Sequence, residues 1–480
     1  MKLEKRTGRP LAALAAALML AGCASYKGIA PEAQLRSPES VGLQPGAASA
    51  TPALAADWWR AFGDEQLDRL VAQAVQGNPN LKVAQARLRR AQAVLEVANA
   101  ATLPQVNGSL EIQRQRYTEN GIMPPPIAGS IRDNATLQFT GSWEIDFFGK
   151  YREALDAALG GTRAAQADAE AARILLASQV TRSYLQLARI HDQLEVAQRT
   201  LAQRQESLRL VRDRVNAGLD TTLELRQSEG ALPEARQQIE ALQEQSQLTR
   251  NALAALVGQP DVQIDARALA ALKPVSVPAT VPADLLGRRP DVVAARWRAE
   301  AAVHDVASAK AQFYPNVNIA GFIGLSSLGV SKLLDAGSLQ WGVGPAIHLP
   351  IFDAGRLRAN LRGKTADLDA AVESYNATVL DAVREVRDQL ASLQSIAKQQ
   401  AEQREAQAAA ESAYQIAVQR YRAGLGTYLN VLSAETAVLA QRRLAVDLSG
   451  RALDTQVQLM RALGGGFAPD AATNQLASKS

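Results

Sequence analysis

Residues 135–147 read ATLQFTGSWEIDF. Ala135, Leu137, Phe139, Gly141, Trp143, Ile145 and Phe147 alternate with Thr136, Gln138, Thr140, Ser142, Glu144 and Asp146. Successive side chains of a strand point to opposite faces, so the pattern specifies a strand with one apolar and one polar face. Its length suits a tilted strand crossing a bilayer, which needs about 9–11 residues. A shorter alternation precedes it: Val106, Gly108, Leu110 and Ile112 against Asn107, Ser109, Glu111 and Gln113. Far along the chain, Val317, Ile319, Gly321, Ile323 and Leu325 share one face, as do Leu339, Trp341, Val343, Ile347, Leu349 and Ile351. Tyr117, Phe147, Phe148, Phe313, Tyr314 and Phe352 lie near the strand ends and suit an interfacial girdle. Strands are thus expected at about 105–117, 134–147, 316–326 and 338–352, with exposed loops at 118–133 and 327–337. A soluble sheet with one wet face gives the same alternation, so the pattern alone leaves two readings open.

The chain is a duplication. PNLKVAQARLRRAQAVLEVANAATLPQVN (79–107) aligns without a gap on PDVVAARWRAEAAVHDVASAKAQFYPNVN (290–318), Pro79 pairing with Pro290 at an offset of 211. Further on, Gly149-Lys150 matches Gly355-Arg356, and NAGLDTTLELRQSE (216–229) matches RAGLGTYLNVLSAE (422–435), at an offset of 206. A unit near 200 residues is far too long for a solenoid repeat, so each half is one module. Each module reads helix, strand, strand, long helix, long helix.

From Lys150 to about Val215 no proline interrupts a helical composition, which makes a helix of about 100 Å. It turns at Gly218, and a second helix returns from Thr222 to Val257, where Leu225, Leu232, Ile239, Ser246 and Leu253 recur every seven residues. Ala235, Leu242, Thr249 and Leu256 interleave with them, the signature of a coiled-coil seam, with a local kink expected at Pro233. The second half repeats the plan from about Gly355 to Arg422 and from Thr427 to Leu463, with Leu432, Leu439, Val446, Leu453 and Met460 as its seam.

Aromatic residues are only 5% of the chain, and its 52 basic against 48 acidic residues leave a formal charge of +4. Much of that excess is Lys2, Lys5, Arg6 and Arg9, ahead of an apolar run from Leu11 to Leu20. That run is too short to span a bilayer and reads as a signal peptide over 1–22. No basic stripe interleaved with aromatics supports nucleic-acid binding. Leu20-Ala21-Gly22-Cys23 resembles the lipobox of bacterial lipoproteins, and Cys23 is the one cysteine in the chain. The resemblance implies palmitate or another acyl chain on Cys23 and, with Ala24 after it, the outer membrane. Residues 24–56, rich in Pro, Ala, Ser and Gly, read as an extended tether. Trp58-Trp59 opens the folded part, and Asp64 caps a short helix ending near Gly77.

Catalytic chemistry finds no foothold. His191, His304 and His348 show no ligand spacing, and no phosphate loop or Gly-x-Ser-x-Gly elbow occurs. No metal, cofactor or enzymatic activity is expected. Four strands per chain are too few for a barrel, whose smallest examples have eight. An open edge in hydrocarbon leaves backbone groups without partners, so the chain must oligomerise.

Trp58-Trp59, VPADLLGRRPDVVAARWRAEAA (281–302), FYPNVNIAGFIG (313–324), IFDAGRLRA (351–359), YRAGLGTYLNVLSAE (421–435) and ALGGGF (462–467) carry a close likeness. They resemble the TolC/OprM outer membrane factors, nearest to the NodT-type lipoproteins, over roughly residues 58–467. The resemblance implies a mainly α protein with a membrane β-barrel portion: a homotrimer whose 12-stranded barrel continues into a long α-helical barrel. It implies the exit duct of a tripartite pump for small molecules, with a periplasmic adaptor (membrane fusion) protein and an inner-membrane transporter of RND or MFS type. The division becomes signal peptide 1–22, lipid-anchored tether 23–57, first repeat 58–257, connector 258–289, second repeat 290–463 and tail 464–480. Gln138, Thr140, Glu144 and Asp146 are expected in the barrel lumen. The turns with Gly218, Leu219, Thr221, Gly424, Leu425 and Thr427 become adaptor-facing tips. Leu429, Ser433 and Tyr421 become the periplasmic gate. Leu429 matches the family's apolar constriction, whereas Ser433 stands where an OprM-like aspartate would add an acidic ring. Glu435 lies close enough to leave acidity at the tip open. Two alternatives stand beside this reading: a lipid-anchored coiled-coil scaffold with a soluble sheet, and a duct for type I protein secretion.

Overall fold

A computed structural model of the chain describes residues 25–43, 54–265, 267–275 and 285–468. The elements run α1 (Glu65–Gly77), α2 (Pro79–Ala100), β1 (Gln105–Arg116), β2 (Ile131–Ile145), α3 (Lys150–Asn216) and α4 (Thr222–Val257). The second half follows with α5 (Leu285–Arg288), α6 (Pro290–Ala311), β3 (Asn316–Leu328), β4 (Leu339–His348), α7 (Arg356–Arg422) and α8 (Tyr428–Ala462). Among the described residues no helix is long and apolar enough to cross a membrane. Backbone proximity divides the chain into two units, one of residues 1–35, 87–165 and 295–375, the other of 36–86, 166–294 and 376–480.

The first unit holds the sheet, an antiparallel ribbon in the order β1-β2-β3-β4. Pairs such as Leu110 with Leu137, Phe139 with Ile323, and Ile323 with Trp341 fix its register. β2 starts at Ile131 rather than 134 and stops at Ile145, and β4 stops at His348, so Leu349 and Ile351 lie beyond it. Next to the sheet, Ala299, Val306, Ala309 and Phe313 pack on Leu357, Leu361, Leu368 and Val372. Phe313 is buried in that core and does not join a girdle, whereas Phe147 and Phe352 are exposed. Cys23 and the signal segment lie outside the described residues. Residues 25–35 of the tether are docked, with a turn at Tyr26–Ile29 where the Ile29 amide donates to the Tyr26 carbonyl. Ile29 and Ala33 cover the core, and the amides of Glu32 and Ala33 both donate to Asp369 Oδ1 at 2.9 Å. Tyr26 stands edge-on to Phe313, with ring centroids 5.7 Å apart.

The second unit is helical. Its main core joins Trp58, Trp59 and Phe62 to Leu67, Leu70 and Val71 of α1, and to Leu176, Val180, Tyr184 and Leu187 of α3. Leu253 and Val257 of α4 and Leu453, Val457 and Met460 of α8 complete it. Asp64 accepts from the amides of Gln66 and Leu67 at 2.8 and 3.3 Å, which starts α1, and Tyr184 Oη donates to its second oxygen at 2.9 Å. The seven-residue seam of α4 is inward-facing throughout: Ile239, Leu242 and Leu253 are buried, and Leu225, Leu232, Ser246 and Thr249 flank them. Helix α4 runs on through Pro233. The triple glycine after α8 belongs to the fold, not to a loose tail. Gly464 has φ +93°, and a Cβ there would stand 1.9 Å from the Arg288 carbonyl oxygen, so no other residue fits.

Candidate functional site

The candidate residues fall on two surfaces, one in each unit. The register puts Val106, Leu110 and Ile112 of β1, Leu137, Phe139 and Trp143 of β2, Ile319 and Ile323 of β3, and Trp341, Val343 and Ile347 of β4 on one face. Most of these are exposed, Trp341 by 70% and Val343 by 72%. An apolar sheet face of this extent left bare is the mark of a lipid or partner surface. The opposite face carries Asn107, Ser109 and Glu111, Thr136, Gln138 and Thr140, and Asn318, Ser326 and Gln340. Gln340 Nε2 donates to Gln138 Oε1 at 3.2 Å along it. Phe322 is an aromatic exception on this polar side, its ring over Gly342, where a Cβ would meet it at 2.8 Å.

Gln138 and Thr140 therefore share the polar face as the alternation requires. Glu144 lies on it too, at the strand's end, where it accepts from Lys150 Nζ at 3.0 Å and Tyr151 Oη at 3.1 Å. Asp146 departs from the expectation. It lies past β2 and accepts from the amides of Tyr151 and Arg152 at 3.0 and 2.8 Å, so it caps α3 instead of lining a lumen. The first free amides of a helix need such an acceptor, and that demand ends the strand.

At the other surface, Gly218 and Gly424 adopt φ of +74° and +73°. Around each, the amide of the next residue reaches back to the helix, Leu219 to Arg214 and Leu425 to Arg420, at 2.9 and 2.8 Å. This closes both α3 and α7 with a left-handed cap that glycine adopts without steric penalty. Thr221 then opens α4 through a reciprocal capping box with Glu224, whereas Thr427 makes no side-chain cap for α8. Leu219 and Leu425 are exposed.

Between the tips lies a polar knot that no local pattern announces. Arg214 Nε donates to Asp220 Oδ2 at 2.9 Å, and Arg214 Nη1 donates to the Tyr421 carbonyl at 3.1 Å. The Tyr421 hydroxyl donates to the same Asp220 oxygen, and the Arg214 guanidinium lies over the Tyr421 ring at 4.6 Å. Arg214 and Asp220 are 13% and 11% exposed. Burial opposes ionisation of Asp220, yet the hydrogen bonds from Arg214 and Tyr421 outweigh it and hold the carboxyl below its ordinary range. Burial and the bond to Asp220 push the Tyr421 hydroxyl well above its ordinary value. Tyr421 also packs on Tyr428, so the knot ties α3 and its turn to α7 and α8. Asp220, the one charged residue within the GLDTT turn, was the available signal.

Leu429, one residue into α8, is 66% exposed, and Ser433 one turn on is not an acid. Glu435 does not supply acidity to the tip surface. It is buried against Arg204 at 3.3 Å, and burial raises its carboxyl above the usual range.

The profile of the outer membrane efflux protein family matches residues 70–259 and 281–465. The chain belongs to the outer membrane efflux protein family. It is 32% identical to the multidrug resistance outer membrane protein MdtP of Escherichia coli, over 95% of both chains. It is 38% identical to the fusaric acid resistance protein FusA of Burkholderia cepacia, over 74% of this chain and 69% of FusA. Identity to the pyoverdine export outer membrane protein OpmQ of Pseudomonas putida is 32%, over 97% and 99%. The crystal structure of VceC from Vibrio cholerae superposes with a TM-score of 0.82 at 35% identity, covering 86% of this chain and all of VceC. The outer-membrane channel OprN superposes at 0.81 and 28% identity, over 92% and 98%. The fold is that of the TolC-like channels, and the protein is an outer membrane efflux channel. In such a channel a bare apolar sheet face is expected to meet lipid. A charge at mid-membrane on that face costs about 2–4 kcal/mol. Phe139→Arg should therefore block membrane assembly while Gln138→Arg alters conduction alone, as heat-modifiable gel migration and bilayer recordings will show; equal assembly defects would reject the assignment of faces.

Proposed function

We propose that three copies of this chain close a 12-stranded barrel and a helical tube, and that this duct serves a tripartite pump exporting small toxic or chelating molecules. The observation that carries the reading is the open four-stranded sheet. β1 pairs with β2 alone and β4 with β3 alone, which leaves two bare edges on a sheet with an apolar face. In lipid those edges must find strands, and other copies of the chain supply them. The polar face then lines a wet lumen. A periplasmic adaptor docks on the tips at Gly218, Leu219, Thr221, Gly424, Leu425 and Thr427, and an inner-membrane transporter of RND or MFS type supplies the energy. MdtP, FusA and OpmQ are named for drugs, fusaric acid and pyoverdine, which favours small solutes over secreted proteins. We place the lipid on Cys23: Tyr26, three residues on, sits against Phe313 and Tyr314, and Tyr314 stacks on Phe148 at 4.7 Å in an aromatic collar under the sheet.

The resting gate is built from Leu429 and the Arg214–Asp220–Tyr421 knot, with Ser433 in place of an acidic ring. Leu429 is left bare in its own chain, as befits a residue that meets its symmetry mates. Leu429→Ala should raise single-channel conductance in planar bilayers with the trimer intact. Unchanged conductance together with a lower melting temperature would make Leu429 a packing residue.

A further inference from the structure

Under the sheet, in the first unit, Glu153 and Asp156 of α3 face His304 of α6. One ligand atom from each lies within 4.8 Å of the other two. His304 Nδ1 and Glu153 Oε2 are 2.7 Å apart. Asp156 makes no hydrogen bond or ion pair among the described residues, although it is half-buried beside a second carboxylate. The nearby cations are already engaged: Lys150 with Glu144 at 3.0 Å and Lys364 with Asp305 at 2.9 Å. Two carboxylates this close repel unless a cation joins them. We propose that Glu153, Asp156 and His304 bind a divalent transition-metal cation of the zinc class, which clamps α3 to α6.

The chemistry selects that class. Borderline cations such as Zn2+ take imidazole nitrogen with carboxylate oxygen at about 2.0–2.2 Å, which sets neighbouring donors roughly 3–3.5 Å apart. The present spacings need only small rotamer changes to reach that. Calcium and magnesium prefer oxygen alone, and a nitrogen donor disfavours them. The two helices are already held in register by Ser308 Oγ, which donates to the Lys150 carbonyl at 2.8 Å. The duplication supplies a control within the chain. At the offsets of 206 and 211, the second copy has Ala359 for Glu153 and Arg362 for Asp156, and the first has Ala93 for His304. The fold thus does not require these three residues, and the cluster is an addition to one half.

The test is titration of the untagged, detergent-solubilised full-length protein with Zn2+ by calorimetry, and with Co2+ by visible absorption. One ion per chain is expected, with a cobalt d–d band of a low-coordinate nitrogen–oxygen site. His304→Ala also removes a contact between the helices, so Asp156→Asn is the deciding variant, since that side chain has no partner to lose. Asp156→Asn should fold and melt as the parent without metal, and bind Zn2+ weaker by more than the roughly 10–100-fold that loss of an outer partner causes. Zinc should raise the melting temperature of the parent and not of this variant. Absence of saturable binding, or equal binding by Asp156→Asn, overturns the site and leaves His304–Glu153 as a plain hydrogen bond; neither result bears on the duct.

Discussion

Asp220→Ala is expected to open the resting channel. The carboxylate is the hub of the tip knot, with Arg214 bonded to one side and the Tyr421 hydroxyl to the other. Removing it leaves a guanidinium that is 13% exposed without its counter-charge. Breaking a buried pair from one side costs about 3–5 kcal/mol. Set against a two-state gate, that shifts the closed-to-open ratio by about two to four orders of magnitude in each chain. Tyr421→Phe removes a single hydrogen bond to a charged group, worth about 1.5–3 kcal/mol, and should open the gate less. Bilayer recordings that rank Asp220→Ala above Tyr421→Phe above the parent in conductance would bear this out. Parent-like conductance in Asp220→Ala would remove the knot from gating. The same pair sets a pH dependence. The folded Asp220 carboxyl titrates below its ordinary value, so its contribution is complete above the unfolded pKa near 3.9 and is lost as pH falls through the depressed folded value. The closed state should therefore hold through mildly acidic conditions and loosen only in stronger acid. Opening already at about pH 5–6, well above the ordinary carboxyl range, would assign the gate to another group.

The strands are readable because one face is apolar and the other polar, a demand that acts on every second residue. Where that demand lapses, the pattern fails. Ile131, Arg132 and Asp133 pair with Arg116, Gln115 and Arg114, a ladder held by backbone groups in which Ile131 is the one apolar side chain. No alternation marks it, so the pattern places the start of β2 three residues late. Phe322 breaks the polar face because Gly342 beside it leaves room for a ring. The heptads of α4 and α8 are likewise legible, since a seam repeats. The tip knot is not. Tyr421 and Asp220 are 201 residues apart, and a single long-range pair leaves no period. Resemblance supplies Tyr421 but not its partner. Asp146 shows the converse, a residue that satisfies the strand pattern while the adjoining helix claims its carboxylate. The docking of residues 25–36 is hidden for a related reason: its backbone amides, bonded to Asp369 and Asn376, hold it as much as its side chains do.

Arg289→Ala should cause a large loss of stability in the helical unit. The Leu-Leu-x-Arg-Arg-Pro-Asp motif is recognisable as a string, but its purpose depends on Glu385, 96 residues away. Arg289 is buried, 9% exposed, and every face of its guanidinium is used. Nε and Nη2 donate to the two oxygens of Asp291 at 3.0 and 2.6 Å, and Nη1 donates to Glu385 at 2.9 Å and to the Ala462 carbonyl at 3.2 Å. Burial alone disfavours the charge, but the two carboxylates outweigh it and raise the guanidinium's pKa further. Alanine leaves both acids without that partner and the Ala462 carbonyl that ends α8 without this donor, at a cost of about 3–5 kcal/mol. Glu385 retains Arg461 at 3.3 Å, which places the expected cost toward the lower end. Lysine restores charge but not the planar fork, so Arg289→Lys should fall between alanine and the parent. Circular dichroism melts of the solubilised protein, compared at one scan rate because large proteins unfold irreversibly, measure this order. Channels that survive in either variant should conduct as the parent does, since Arg289 is remote in sequence and contact from the tip knot. A parent-like melt for Arg289→Ala would mean that Arg461 and solvent suffice for both carboxylates, and that the motif acts through its proline and leucines instead.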